Sequence, residues 1–232
     1  AAYTGLGNNP WADTIGSNDG TESGTFPREL VSASDANDQI DALGNAILEP
    51  RRNTQQLNLF GEGEYSSTPD SASLDLTTEA TWELWGNFYG VPSIGENLFG
   101  KYKVANSKRS WVFQKSTSQL EDEIGFIVSN DGNFSTTAVI AGAQDKVQCL
   151  SVTLSGGVYV AYLDAQVVTL TGAIDTTVFA SDEPVLIGTI GDLANFAARK
   201  IGSTKIYNRA LTADEVLTNY ESQKSLYLNV FP

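Results

Sequence analysis

Short stretches of alternating apolar and polar residues, separated by turn residues, run along most of this chain. The clearest of them places Val158, Val160 and Tyr162 on one face of an extended strand. The segments 130–133 (Asn-Asp-Gly-Asn) and 156–157 (Gly-Gly) are typical of tight β-hairpin turns. Many short strands joined by frequent turns predict an antiparallel sandwich or jelly roll.

The alternation predicts strands at 57–60, 65–68, 80–89, 110–115, 123–129, 138–141, 147–154, 158–163, 166–170, 184–187 and 200–207, and a final strand carrying Leu226, Leu228 and Val230. Residues 1–27 are rich in Gly, Asn, Ser, Thr and Asp and predict mostly loop. Residues 35–48 predict a helix, because apolar residues recur there at helical spacing. No repeat or linker divides the chain, so we expect one domain over residues 1–232.

A short helix is predicted directly after Thr212. Thr212 is a favourable N-cap, and Glu215 follows three residues later, which makes a capping box. Leu211 and Val216 take the two positions of a hydrophobic staple, which fixes how the chain enters a helix. We therefore expect this helix to pack against the sandwich.

The charge and composition of the chain exclude several classes of function. Acidic residues outnumber basic residues 28 to 14, and the formal net charge is -14. This balance argues against binding nucleic acid or an anionic membrane surface. No apolar run approaches the roughly 20 residues of a membrane span. The chain has no His, the usual general base and the commonest zinc ligand, and its one Cys, Cys149, lies in an apolar run typical of a core.

Six segments carry a family resemblance: 11–21, 57–65, 74–85, 150–164, 184–188 and 206–216, the last reading Ile-Tyr-Asn-Arg-Ala-Leu at its start. In this order they resemble the signature phrases of laminin-G-like domains, which belong to the concanavalin A-like jelly-roll superfamily. One departure is the turn Leu163-Asp164-Ala165, where the family has Gly after Asp. Another is the segment 35–48, which has no counterpart in the family and resembles an insertion.

The resemblance implies an all-β fold, an antiparallel two-sheet jelly-roll sandwich with a short C-terminal helix and a helical insertion near 35–48. Glucanases of the same superfamily carry a Glu-x-Asp-x-x-Glu strand that sets acid and nucleophile at working distance. This chain lacks that motif, and its densest acidic cluster, 121–123, has the wrong order. Since it also lacks His, we expect a protein that is not an enzyme.

The resemblance also suggests where a metal could bind. Many members hold Ca²⁺ at the rim of a sheet through carboxylate and amide oxygens. The matching positions here are Glu62, Glu64, Asp192 and Asn195. Glu replaces the shorter Asp or Asn, and no Asp-x-Asp pattern is present, so ordinary solvated acids are the alternative and no cofactor is expected to be required.

Sugar recognition needs an exposed aromatic side chain that can stack on a pyranose ring. Trp82 and Trp111 lie within strand patterns and are expected in the core. Trp85 points away from Trp82, towards the other side of its sheet, and Trp11 lies in the opening loop. Trp11 and Trp85 are therefore the candidate ligand-binding residues.

We expect a non-catalytic binding protein, and two functions remain open. The first is a virion surface component, such as a phage capsid decoration or tail protein, which would work inside a larger assembly with viral capsid or tail proteins. The second is a secreted, extracellular carbohydrate-binding lectin or module that recognises surface glycans. Neither function involves nucleic acid or a membrane.

Overall fold

The computed structural model describes residues 63–227 and the strand backbones at 2–4, 12–13, 21–23, 28–30 and 55–58. The strands, in chain order, are β1 (Ala2–Thr4), β2 (Ala12–Asp13), β3 (Thr21–Ser23), β4 (Arg28–Leu30), β5 (Gln55–Asn58), β6 (Tyr65–Thr68), β7 (Glu79–Asn87), β8 (Glu96–Lys101), β9 (Trp111–Lys115), β10 (Glu123–Val128), β11 (Thr136–Ala141), β12 (Val147–Ser155), β13 (Val158–Leu163), β14 (Gln166–Val168), β15 (Leu170–Thr171), β16 (Val185–Ile187) and β17 (Lys200–Tyr207). One α-helix follows, α1 (Ala213–Tyr227), and two 3₁₀ turns lie at Ala72–Leu74 and Ala105–Ser107.

These strands form two antiparallel sheets. Sheet 1 has the order β14-β13-β12-β7-β17-β1-β2, and β5 pairs with both β17 and β4. Sheet 2 has the order β15-β11-β10-β9-β8-β16-β6-β3. Neighbours that are distant in sequence, such as β7 beside β12 and β17, are typical of a jelly roll. The expected two-sheet sandwich is confirmed.

The core lies between the facing sides of the two sheets. Alternate residues of β7, β9 and β10 point inward, so that Trp82, Trp111 and Phe126 meet there. The Trp82 ring centroid lies 5.4 Å from that of Trp111 and 5.3 Å from that of Phe126. The prediction that Trp82 and Trp111 are core residues is confirmed.

Helix α1 begins as its sequence predicts. The Thr212 amide donates a hydrogen bond to Glu215 at 2.9 Å, and the Glu215 amide donates to the Thr212 hydroxyl at 3.3 Å. Leu211 and Val216 are buried together against Tyr162 of β13. The capping box and the staple therefore dock the helix on the outer face of sheet 1. No helix of the described residues is both long enough and apolar enough to cross a membrane.

The C-terminal end of the chain corrects one prediction. Leu226 was expected in a final strand with Leu228 and Val230, but it lies in α1, which continues to Tyr227. Tertiary contacts extend the helix to this point: it is capped at its start, and Tyr227 at its end packs against sheet 1. Leu228 and Val230 lie outside the described residues.

Two further strand predictions need correction. Within 1–27, which was expected to be mostly loop, β1, β2 and β3 are short strands, and β1 pairs with β17 and β3 with β6. Strand β8 was missed because its sequence does not alternate, and a register shift between Asn97 and Phe99 lets both Leu98 and Phe99 be buried. The predicted helix at 35–48 lies outside the described residues.

Candidate functional site

Trp85 offers no surface to a ligand. It is 0% exposed, and its ring stacks on Tyr227 with centroids 4.5 Å apart and on Tyr220 at 5.6 Å. The prediction that it faces the outer side of sheet 1 is correct, but α1 covers that side. The other aromatic candidate, Trp11, lies outside the described residues.

Three of the four candidate calcium ligands, Glu64, Asp192 and Asn195, lie among the described residues. Glu64 is 6% exposed, and its loop approaches the loop of Asn195, since the rings of Tyr65 and Phe196 are 6.3 Å apart. The Asp192 carboxylate accepts hydrogen bonds from two backbone amides, those of residues 104 and 105. No three His, Cys, Asp or Glu residues among those described form a group that could hold a metal ion. Glu62 is not among the described residues.

The acidic cluster at 121–123 has a structural role in the turn between β9 and β10. Glu121 accepts a hydrogen bond from the Tyr89 hydroxyl, and Glu123 accepts one from the Leu120 amide at 2.8 Å. The ammonium group of Lys115 donates to the carbonyl oxygens of Leu120, Glu121 and Glu123. Burial lowers the pKa of Lys115 to about 8. These hydrogen bonds fix the turn.

The most buried ion pairs also hold the fold together. Lys205 lies 2.7 Å from Glu83, which is 0% exposed beneath α1, and Asn219 of the helix donates to the same carboxylate at 3.1 Å. Arg199 pairs with Glu96 and also donates to the Tyr89 carbonyl at 2.6 Å. These charges are satisfied by one another and by neighbouring amides, as buried charges require.

The exposed aromatic side chain of the described region is Phe134. It is 81% exposed, whereas the other large exposed hydrophobic residues there are aliphatic. Phe134 lies between β10 and β11, in a segment that we call the Phe134 loop, residues 129–135. An exposed aromatic ring at the end of a sandwich is accessible for stacking on a ligand.

The backbone of the Phe134 loop is fixed by its own side chains. Asp131 Oδ1 accepts hydrogen bonds from the amides of Asn133 at 2.8 Å and Phe134 at 3.0 Å. Ser129 Oγ accepts from the Gly132 amide at 2.9 Å and donates to the Phe134 carbonyl. This turn needs Gly132, whose φ is 78° and which has no space for a Cβ beside the residue 107 carbonyl.

Neighbouring segments hold the base of the loop. The Ser129 amide donates to the Ser110 carbonyl at 2.8 Å, and the Phe179 amide donates to the Ser129 carbonyl at 2.7 Å. The Asn130 amide donates to Asp175 at 3.2 Å. The loop is therefore ordered before any partner arrives, which reduces the entropy lost on binding.

Charged groups contact the backbone next to Phe134. Arg109 donates through Nη1 to the carbonyl of Asn133, the residue before Phe134, and it takes part in none of the ion pairs formed by the described residues. The nearby Lys108 is paired with Asp182 at 2.6 Å. Hydrogen bonds from the amide of Phe134, and then from that of Asn133, lower the pKa of Asp131, so its carboxylate is charged at neutral pH.

We name Phe134, Asp131 and Arg109 together the Phe134 site. It offers an apolar ring, a carboxylate and a guanidinium group on one rigid loop and its neighbour, which is the composition of a site for a polar ligand with an apolar face. Sequence analysis predicted the hairpin at 130–133 but not the site. The available signal was an aromatic residue directly after a tight-turn sequence, where burial is not expected.

Comparison with known proteins identifies structures of similar fold. No curated protein matches the sequence. Among solved structures, the botulinum neurotoxin serotype D binding domain superposes with a TM-score of 0.63 at 10% identity, covering 96% of this chain and 51% of that one. The serotype D ligand-binding domain in complex with N-acetylneuraminic acid gives 0.65 at 12% identity, covering 96% and 50%.

The binding domain of botulinum neurotoxin DC in complex with SialylT gives a TM-score of 0.65 at 10% identity, covering 95% of this chain and 50% of that one. The present chain thus spans about half the length of these structures. At such identities the likeness concerns the fold alone. In sequence, a laminin G family model of the concanavalin A-like lectin/glucanases superfamily matches residues 60–217. This match covers β6–β17 and the start of α1, more than half of the chain, and the chain therefore belongs to the concanavalin A-like lectin/glucanase superfamily.

Proposed function

We propose that this chain is a non-catalytic, glycan-binding domain and that the Phe134 site is its contact surface. The observation that carries the proposal is the exposure of Phe134, 81%, on a loop whose backbone is fixed by hydrogen bonds. Aromatic rings supply the apolar contact for the C–H face of a pyranose, and polar groups beside the ring orient its hydroxyls.

Two independent facts support a binding function over an enzymatic one. The sequence lacks the carboxylate strand of the superfamily's glucanases and contains no His. Two acids of the 121–123 cluster, Glu121 and Glu123, accept hydrogen bonds from Tyr89 and from the Leu120 amide. A rigid surface with one exposed ring suits recognition, which needs a fixed shape but no reactive group.

The comparisons support glycans as the partner class. Two of the structures with this fold are complexes with N-acetylneuraminic acid and with SialylT. Because the chain covers half of those proteins, their ligands are no guide to the sugar bound here. The virion-surface role with capsid or tail proteins, and the extracellular alternative, remain predictions from the sequence, and a glycan-binding domain is compatible with both locations.

The test is binding of the full chain to a glycan array, followed by titration of the best ligand. Phe134→Ala should reduce affinity about tenfold, since a stacked ring contributes about 1–2 kcal/mol beside its polar contacts. Leu120→Ala is the matched control, because Leu120 is 65% exposed in the turn at the other end of β10. Absence of glycan binding, or equal affinity of Phe134→Ala and wild type, would overturn the proposal.

A further inference from the structure

The carboxylate of Asp131 and the guanidinium of Arg109 act on the backbone of one residue, Asn133. Asp131 Oδ1 accepts from the Asn133 amide at 2.8 Å, and Arg109 Nη1 donates to the Asn133 carbonyl. The two charged groups therefore contact the backbone of the same residue. Phe134 is the next residue along the chain, so the Phe134 loop carries two of the three functional groups and the β8–β9 turn supplies the third.

Each charged group is only partly used by the protein. Asp131 Oδ1 accepts the hydrogen bonds from Ser129, Asn133 and Phe134, and Oδ2 accepts none from the other described residues. Arg109 bonds to the described residues through Nη1 alone, and Nε and Nη2 retain their donors. The Phe134 site thus presents an unused acceptor and unused donors at one loop.

We infer that the Phe134 site selects a neutral pyranose with adjacent hydroxyls and discriminates against carboxylated sugars; this inference rests on the proposed glycan-binding function. A hydroxyl both donates and accepts, so adjacent hydroxyls can donate to Asp131 Oδ2 and accept from Arg109. The guanidinium compensates the carboxylate, which makes the pair suitable for an uncharged ligand.

The charge of the surroundings disfavours an anionic sugar. A sugar carboxylate would face Asp131 Oδ2, and the neighbouring Asp175 lies at the same loop. The two lysines in the same turn as Arg109, Lys103 and Lys108, are each paired with an acid, Glu183 and Asp182. The chain as a whole carries a net charge of -14, which repels anions at long range. Selection therefore includes a repulsive element as well as attractive contacts.

The discriminating variant is Asp131→Asn in the full chain. Asn keeps an oxygen for the amides of Asn133 and Phe134, but it replaces the free acceptor with a donor. We expect affinity for a neutral glycan to fall about tenfold, as loss of a hydrogen bond to a charged group predicts. For a carboxylated glycan the same change removes a repulsion, so its affinity should rise.

The measurement is a titration of wild type, Asp131→Asn and Arg109→Gln against matched glycans that differ only in a terminal carboxylated sugar. Arg109→Gln should weaken binding of the neutral glycan, whereas Lys108→Gln, a neighbouring cation, is the control and should not. Added salt should leave the wild-type affinity for a neutral ligand unchanged.

The outcomes separate this inference from the proposed function. Preference for the carboxylated glycan, or stronger binding of a neutral glycan by Asp131→Asn, would overturn the inference and leave glycan binding by the Phe134 site intact. Binding of neither glycan type would overturn the proposed function and the inference with it. Loss of neutral-glycan binding in both Asp131→Asn and Arg109→Gln, with Lys108→Gln unaffected, supports the inference.

Discussion

Trp85 and Tyr227 stack with ring centroids 4.5 Å apart and planes 19° from parallel. Trp85 lies on the outer face of β7, and Tyr227 is the last residue of α1, so the stack closes the helix onto sheet 1. The Tyr227 hydroxyl also accepts a hydrogen bond from the Ser203 amide of β17 at 2.8 Å. One side chain thus joins the end of the helix to two neighbouring strands.

Truncation of Tyr227 should destabilise the domain strongly. Tyr227 is 3% exposed, so Tyr227→Ala leaves a cavity and should lower the free energy of unfolding by about 3–5 kcal/mol. Tyr227→Phe keeps the stack but leaves the Ser203 amide without its partner, at a cost of about 1–2 kcal/mol. Urea unfolding at neutral pH measures both values. A wild-type midpoint for Tyr227→Ala would contradict docking of the helix end.

The start of α1 allows a second test. Leu211 is 5% exposed against Tyr162 and Val216, so Leu211→Ala should cost about 2–4 kcal/mol. Thr212→Ala removes the N-cap and should cost about 1 kcal/mol. Leu217→Ala, at a helix position that is 42% exposed, is the control and should stay within about 0.5 kcal/mol of wild type. Equal urea midpoints for all three variants would contradict the predicted staple.

The turn between β13 and β14 carries strain that one substitution should relieve. Leu163 pairs with Gln166, which leaves a two-residue hairpin turn with Asp164 at φ 51° and Ala165 at φ 62°. Left-handed backbone suits Asp-Gly in such a turn, whereas Ala is strained there. Ala165→Gly should therefore raise the free energy of unfolding by about 0.5–1 kcal/mol. A lower thermal midpoint for this variant would show that the Ala165 methyl group contributes more by packing than it costs in strain.

The capping box gives a pH dependence of stability. The guanidinium of Arg209, and then the Thr212 amide, lower the pKa of Glu215 to about 2. The pKa of Glu in the unfolded chain is about 4.3. The stabilisation by ionised Glu215 is therefore complete above that pH and is lost as pH falls towards about 2. The difference in urea midpoint between wild type and Glu215→Gln should therefore shrink across this range. Glu221→Gln, on the same helix, is the control for the effect of removing any carboxylate. A difference in urea midpoint between wild type and Glu215→Gln that stays constant with pH would contradict the role assigned to Glu215.

Local patterns predicted those parts of the fold that depend on neighbours in sequence. The alternation in β7 placed Trp82 inward and Trp85 outward, and the residues 211–216 predicted how the helix starts. The cover over Trp85 was not predictable, because it depends on where α1 finally packs. Strand β8 escaped prediction because its register shift breaks the alternation.

The candidate site was less accessible from sequence than the fold. Alternation identifies core positions, but Phe134 belongs to a turn, where no periodic pattern applies. Its exposure follows from contacts between Ser129, Asp131 and the loop backbone, and its charged neighbour Arg109 comes from another turn, that between β8 and β9. Only the assembled fold brings these residues together.

The order of the Phe134 loop should depend on Ser129, which is 0% exposed. Ser129→Ala leaves the Gly132 amide without its acceptor, so hydrogen exchange at the amides of Gly132 and Phe134 should accelerate. Binding should weaken as well, because the loop must then be ordered when the ligand arrives. Ser118→Ala, at an exposed position of the β9–β10 turn, is the control. Unchanged exchange in Ser129→Ala would mean that the loop is held by its neighbouring segments and not by its own hydroxyl.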